Sequence, residues 1–374
     1  MLLYIHIPFC DSKCSYCAFN SYVDKFSLRK KYMDALLVQL EHELERFSTT
    51  PQNPIETVFI GGGTPSTVDA ALYVPLFEKI APFLGEGCEI TSEANPNSAT
   101  PEWLEGMKRV GVNRVSFGVQ SFDDAKLTAL GRAHNSAQAL NAVRNAAQIG
   151  FERLSLDLIY GVAGDTRPLL ERDVSTAFSL PIDHISLYAL TIEEATAFEK
   201  TPEKAHEELD LTRWLFKEIA DRGFEQYEIS NFGRTRSRHN LGYWEHKPYI
   251  GLGSGAVGFL RNRRFYPPND IQTYIADPLA AHVEELTPGD LLSEKLFLGL
   301  RSKIGVDAGI LNAAQRKEAD ILLRAGLLEE RGGRLYNTDF LLADAADIET
   351  ESLGHGREKP VEVRLRGAAG TQTP

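Results

Sequence analysis

Three cysteines stand close together near the start of the chain, Cys10, Cys14 and Cys17, in the spacing CxxxCxxC. That spacing lets one loop wrap three corners of an iron–sulfur cubane, whereas a tetrahedral zinc site wants a fourth protein ligand. No fourth cysteine is near: Cys88 enters a strand-like run and reads as a small buried residue. A fourth iron left open suits a small chelating molecule, and the amino and carboxylate groups of S-adenosylmethionine supply such a chelate. Reduction of the cluster would then cleave the sulfonium bond. The plainer alternative is a zinc site completed by His6 or Asp11.

Other polar residues follow short apolar runs. Gly61, Gly62 and Gly63 allow close approach of backbone amides to a ligand, with Thr64-Pro65 fixing the exit, although a GGG alone would be only a turn. Glu93 and Asp157 come late in such runs, where carboxylates accept hydrogen bonds from a ribose or an amino group, or serve as buried structural acids. Gln120 follows another run and has the simpler reading of a helix cap. Arg132 follows a helix and reads on physics alone as a solvated charge. Gly251, Gly253, Gly255 and Gly258 open no βαβ unit and read as close packing.

The elements that position these residues alternate regularly. Strands are expected at Leu2 to Ile7, Thr57 to Ile60, Glu89 to Thr91, Arg114 to Phe117, Leu154 to Ile159 and His184 to Leu190. Helical periodicity links them at Leu28 to Phe47, Ala70 to Phe83, Pro101 to Arg109 and Ala137 to Ile149. Six strand–helix units are fewer than a closed eightfold barrel needs, so the fold class is α/β, a partial (β/α)6 barrel whose ligands gather at the C-terminal ends of its strands. The barrel is expected over residues 1–230, with a helix from Glu203 to Arg222 and a short strand at Tyr227 to Ile229. Residues 231–280 read as a segment covering the mouth, 281–345 as a small helical, winged-helix-like domain, and 346–374 as a disordered polar tail.

Composition sets the outer limits. Asp and Glu outnumber Lys and Arg by 52 to 40 in 374 residues, for a net charge of -12 spread along the chain, which disfavours a nucleic-acid partner. The start, MLLYIHIPFC, has no basic region and too short an apolar run for a signal peptide, and no stretch reaches the ~20 apolar residues of a membrane span. A soluble, cytoplasmic protein is expected, and few cysteines with three clustered fit a reducing compartment.

One basic and aromatic stretch stands out in this acidic chain: His239, Asn240, Tyr243 and Trp244, flanked by Arg236, Arg238 and Lys247. A neutral imidazole can ligate haem iron, aromatic rings can cover a macrocycle, and Arg or Lys can pair with propionates. Sequence physics alone slightly favours a structural loop in which His239 and Asn240 satisfy backbone groups.

The segments IHIPFCDSKCSYCAFNSY, FIGGGTPS, EANP, GVQSF, LGRAH and LDLIYG resemble the radical S-adenosylmethionine (SAM) family that includes oxygen-independent coproporphyrinogen III oxidase, over residues 2–345. Within it, CxxxCxxC followed by AFNS, together with HNLGYW, is similar to the HemW-type haem chaperones. The oxidases carry a further cysteine two residues after the last ligand, where this chain has Phe19. The resemblance implies a [4Fe-4S] cluster on Cys10, Cys14 and Cys17. It also implies contacts to S-adenosylmethionine from Tyr4, Gly62, Gly63, Thr64, Glu93, Gln120, Arg132 and Asp157. In the chaperones HNxxYW is associated with haem binding, which makes His239 the leading ligand, with His246 its nearest competitor. A haem carrier follows, without coproporphyrinogen oxidase activity, delivering haem to respiratory haem proteins at the inner face of the membrane, with a homodimer as a compatible assembly. The competing expectation is an enzyme that decarboxylates a porphyrinogen propionate to a vinyl group, or a relative acting on another substrate. A radical tRNA-modifying enzyme is weakened by the net charge and the lack of a basic RNA-binding module.

Overall fold

The computed structural model describes residues 1–346, so nearly all of the tail expected to be disordered lies outside the described residues. The six expected strands form β1 (Leu2–Ile7), β2 (Ile55–Gly62), β3 (Leu84–Ala94), β4 (Arg114–Gln120), β5 (Arg153–Tyr160) and β6 (His184–Ala189), all parallel and paired in sequence order. Helices α1 (Arg29–Arg46), α2 (Val74–Ile80), α3 (Pro101–Arg109), α4 (Asp124–Ala129), α5 (Ser136–Ile149) and α6 (Arg167–Phe178) cross between them. This is the partial barrel expected from the sequence. The helix read at Ala70 to Phe83 is broken into α2 and flanking 3₁₀ turns, with Pro75 and Pro82 each near a new start.

Strand alternation sorts the chemistry onto one face. Leu3, Ile5 and Ile7, with Val115, Phe117, Leu154, Leu156, Ile185 and Leu187, point outward and join the main hydrophobic core beneath the helices. Glu93, Arg114, Ser116, Asp157, His184, Ser186 and Tyr188 line the cavity inside the barrel. Cohesion therefore comes from the layer between sheet and helices, and the lumen is polar.

After β6 the chain forms α7 (Leu209–Asp221), β7 (Glu225–Gln226), β8 (Asn231–Gly233) and α8 (Arg238–Trp244). It continues through β9 (Tyr249–Leu252), β10 (Gly258–Leu260), β11 (Arg263–Tyr266), α9 (Ile271–Ala276) and β12 (His282–Glu285). Tyr227 to Ile229 is no strand: β7 and β8 pair antiparallel, so these residues form the bend between them. The strands of residues 231–280, the segment expected to cover the mouth, lengthen the sheet. β9 pairs parallel to β1, and the sheet runs β12-β11-β10-β9-β1 through β6 to β8-β7. The same segment reaches the cavity, with Asn231, Ser237 and Asn240 in its lining, and Ser254 and Asn269 accept hydrogen bonds from the Asn20 amide. The segment after β6 docks on the cysteine loop directly, Phe198 donating its amide to the Ser15 carbonyl at 3.0 Å.

The last described part packs α10 (Pro288–Leu300) and α11 (Ala313–Arg324) on a small antiparallel sheet of β13 (Val306–Asp307), β14 (Leu328–Arg331) and β15 (Arg334–Asn337). It has its own core of Leu296, Leu300, Val306, Ala319, Leu328 and Leu335. Among the described residues, no helix is long and apolar enough to cross a membrane.

Candidate functional site

Cys10, Cys14 and Cys17 leave the end of β1 on one loop and line a single cavity at the barrel mouth. The loop is pinned by its own amides, with Cys10 N donating to Tyr22 O at 3.0 Å and Ser15 N to Leu130 O at 3.2 Å. Cys14 and Cys17 border an apolar patch of Tyr16, Leu130, Ile159, Val162, Leu190 and Phe198. Burial raises the Cys17 thiol to about 11 and raises the Cys10 thiol as well. Both would load metal with release of a proton. Among the described residues no three His, Cys, Asp or Glu side chains converge on one metal ion. A cubane fits, because its thiolates hold separate irons and stand farther apart than the ligands of one ion. The two groups that could have completed a zinc site are engaged elsewhere: Asp11 accepts from Asn97 at 3.0 Å, and both His6 nitrogens are bonded.

Beside the thiols, the loop after β2 turns through Gly62 at φ +109°, where a Cβ would come within 2.4 Å of the His6 ring. Glycine is thus required twice over, for conformation and for space. The Gly62 amide donates to Glu93 Oε2 at 3.0 Å. Burial, reinforced by Asp157, holds the Glu93 carboxyl well above its usual range, and burial lifts Asp157 to about 6 even with hydrogen bonds from Ser186 and Ser116. Two such carboxyls in one lumen favour a cationic ligand, since a positive charge restores both to the ionised form. S-adenosylmethionine, with its sulfonium and ammonium groups, has that chemistry.

The end of β4 carries a bulge between Gly118 and Gln120, and Gln120 takes φ +68°. This frees two carbonyls from the ladder. Arg132 Nη2 donates to Gly118 O at 2.7 Å, and His134 Nε2 to Val119 O at 3.0 Å, so the LGRAH loop braces the bulge. Gln120 Oε1 is buried without a partner among the described residues and its residue lines the cavity, leaving an acceptor for a ligand donor.

Tyr4 is placed differently from the other expected contacts. Its hydroxyl donates to His6 Nδ1 at 3.0 Å, and His6 Nε2 donates to Asn20 O at 2.9 Å, while burial lowers the imidazole to about 4 and keeps it neutral. Phe59, stacked on Tyr4 at 6.3 Å, lines the cavity, and Tyr4 is not among the wall residues. Phe59 and His134 are residues of this region that the sequence reading did not single out, although LGRAH contains the second.

The HNLGYW segment is α8, and it closes the opposite end of the barrel. His239 is 1% exposed and stacks on Phe59 at 5.2 Å. Its Nδ1 meets Thr57 Oγ1 at 2.7 Å, its Nε2 meets Tyr243 Oη at 3.1 Å, and its amide donates to Glu89 at 3.1 Å. Burial, with Arg114 nearby, lowers the ring to about 3. The imidazole is neutral as expected, but both nitrogens are bonded and neither faces a ligand. The flanking cations are also engaged: Arg236 with Glu225, Arg238 with Gly87 O, and Lys247 with Glu56 and Glu245. His246 meets Glu294 at 2.9 Å. The structure therefore brings together the cysteines, Gly62, Gly63, Thr64, Glu93, Gln120, Arg132 and Asp157, and leaves Tyr4 and His239 outside that cavity wall.

Residues 4–175 match the Radical SAM superfamily. The chain is 36% identical over 322 residues to the heme chaperone HemW of Bacillus subtilis, covering 81% of this chain and 84% of that protein. The heme chaperone HemW of Mycobacterium tuberculosis is 35% identical over 363 residues, 92% of this chain and 93% of its own length. The solved structure of the radical SAM coproporphyrinogen III oxidase HemN from Escherichia coli superposes with a TM-score of 0.76 at 20% identity, over 92% of this chain and 88% of that one, a likeness of fold.

Proposed function

Because the chain belongs to the HemW-type haem chaperones of the radical SAM family, we propose that it takes up haem and passes it to respiratory haem proteins at the inner face of the membrane. Its cofactors are those of the family, a [4Fe-4S] cluster and S-adenosylmethionine, with haem as cargo. When bound, the cluster supplies the electron that cleaves the sulfonium bond. In this reading Cys10, Cys14 and Cys17 hold it. The loop of Gly62, Gly63 and Thr64 lies against the methionine end, and Glu93, Gln120 and Asp157 receive the cationic and hydroxyl groups. A cytoplasmic location and a homodimer belong to the same proposal, and nucleic acid does not.

The observation that favours carriage over oxidation is Phe19, which lines the cavity where the oxidase branch has a cysteine. A phenyl ring offers no exchangeable proton and no redox chemistry. One anaerobic preparation tests this: it should bind haem on titration yet form no protoporphyrinogen from coproporphyrinogen III with reductant and S-adenosylmethionine. Substantial conversion would put the enzyme reading first.

Haem ligation by His239 enters this proposal with a structural condition. The imidazole must exchange Thr57 and Tyr243 for iron, so haem uptake is coupled to withdrawal of α8 from the barrel floor. His239→Ala should then weaken haem binding by about tenfold or more, roughly the loss of 1.4 kcal/mol or above, with a changed Soret band. Haem should also speed amide exchange over residues 238–244. The cluster, built at the other end of the barrel, should be unaffected. His246→Ala is the parallel measurement, and unchanged affinity and spectrum in His239→Ala would leave α8 as a floor alone.

A further inference from the structure

Arg132 is matched by resemblance to a contact for S-adenosylmethionine, yet four of its five N–H donors point elsewhere. Nη1 lies 3.2 Å from Cys14 Sγ and 3.3 Å from Tyr16 Oη; Nη2 lies 2.7 Å from Asn95 Oδ1 and 2.7 Å from Gly118 O. A guanidinium has five N–H groups. Four are taken by these partners, and the fifth, on Nε, is buried without one. That Nε–H, on a residue that lines the cavity, is the one donor left for a ligand carboxylate.

The packing that fixes this pose is specific. Asn95 accepts from Arg132 and donates its own Nδ2 to Thr64 Oγ1 at 3.0 Å, and Thr64 Oγ1 meets Cys10 Sγ at 3.4 Å. A continuous chain thus runs from Cys14 through Arg132, Asn95 and Thr64 to Cys10. Gly118 makes room for it, since a Cβ there would lie 3.1 Å from Asn95 Oδ1 and 3.2 Å from Arg132 Nη2. The four partners of Arg132 are a sulfur, a phenol, an amide oxygen and a peptide carbonyl, and none is a carboxylate. Asp157 is within electrostatic reach but is not bonded to Arg132, and on the side where Arg132 is bonded to Cys14 a cluster held by three thiolates supplies an anion.

We propose that Arg132 is the electrostatic counterpart of the iron–sulfur cluster, donating N–H···S to Cys14 and raising the cluster's reduction potential, with Asn95 and Thr64 carrying the same network to Cys10. The direction follows from charge: reduction adds an electron to the cluster, and a fixed cation with hydrogen bonds to sulfur stabilises the more negative state. The inference rests on the cluster assignment made above.

The test is a redox titration of the reconstituted full chain, followed by electron paramagnetic resonance without S-adenosylmethionine. Arg132→Gln should keep its iron, and the ratio of reduced to oxidised cluster at a fixed potential should fall about tenfold, which for a one-electron couple is about 59 mV. Arg132→Lys, which keeps the charge and loses the fork, should fall between. An unchanged midpoint together with weaker S-adenosylmethionine binding would overturn the proposal and make Arg132 a ligand contact. If Arg132→Gln takes up no iron while Arg132→Lys loads normally, the need for a countercharge is upheld. Loss of iron or of folding in both variants would make Arg132 a scaffold residue and overturn it. A wild-type chain that forms no cluster would sink the earlier reading instead.

Discussion

Alanine at Cys10, Cys14 or Cys17 is expected to abolish cluster assembly, taking a reconstituted protein that holds about four irons and four sulfides down to background. In the proposed ligand set each thiol is one of three anchors on a single loop, and the fourth iron would have no protein ligand to compensate. The buried shell around Cys14 and Cys17 also leaves little for water to replace them with. Cys88→Ala should load as the wild type does, because Cys88 lies on β3 with its side chain in the outer core and is absent from the cavity lining at the mouth. Iron and sulfide analysis with visible absorption decides the matter. Full iron in a Cys10, Cys14 or Cys17 variant would refute the ligand set, and one tightly held zinc without sulfide would refute the cluster itself.

The second large effect lies at the seam between barrel and C-terminal module. Glu294 on α10 is 2% exposed as a residue, with Arg264 Nη1 of β11 2.7 Å from its Oε1 and His246 Nε2 2.9 Å from its Oε2. The arginine contact is a close ion pair off the hydrogen-bonding angle, since Nη1 has no aligned acceptor. Glu294→Ala leaves Arg264, itself 4% exposed, with a buried charge and no anion, and should cost about 3 kcal/mol in chemical denaturation. Burial pushes the Glu294 carboxyl up, but His246 and Arg264 outweigh it and hold it below its ordinary 4.5. A depressed folded value means that the stabilisation is present above pH 4.5 and lost as pH falls through the folded value. Glu294→Gln should remove that acid-side dependence. Wild-type stability that is flat on the acid side would contradict the assignment, as would a Glu294→Ala cost below about 1 kcal/mol.

Legibility in the sequence followed the range of the interaction. The cysteine spacing, the glycine run and the six strands are local patterns, and the structure places all three as read. Boundaries failed where tertiary contacts ended an element early, as at Leu209, where residues 205–208 are drawn aside by His206 N bonding Gly161 O. His239 shows the deeper limit. A histidine among aromatic and basic residues has the same local pattern whether it faces a ligand or plugs a barrel, and only Thr57 and Tyr243 on either side of the ring tell the two apart. Arg132 is the converse case. Read alone it looked like a solvated charge, and its four partners come from the cysteine loop and the ends of β3 and β4, a convergence no single segment of sequence displays.

The polar lumen has a consequence for how such a chain can change its trade. Side chains that hold the barrel together face outward to the helices, while those that meet a ligand face inward and touch the core layer little. Exchanges on the inner wall leave the apolar layer filled, and their cost falls on the hydrogen bonds of the lumen, such as those of His184 to Ser155 and Tyr227. Chemistry and cohesion are inherited separately in this fold. A change confined to the cavity lining, such as one at position 19, can therefore alter what the site offers a ligand without reopening the apolar layer.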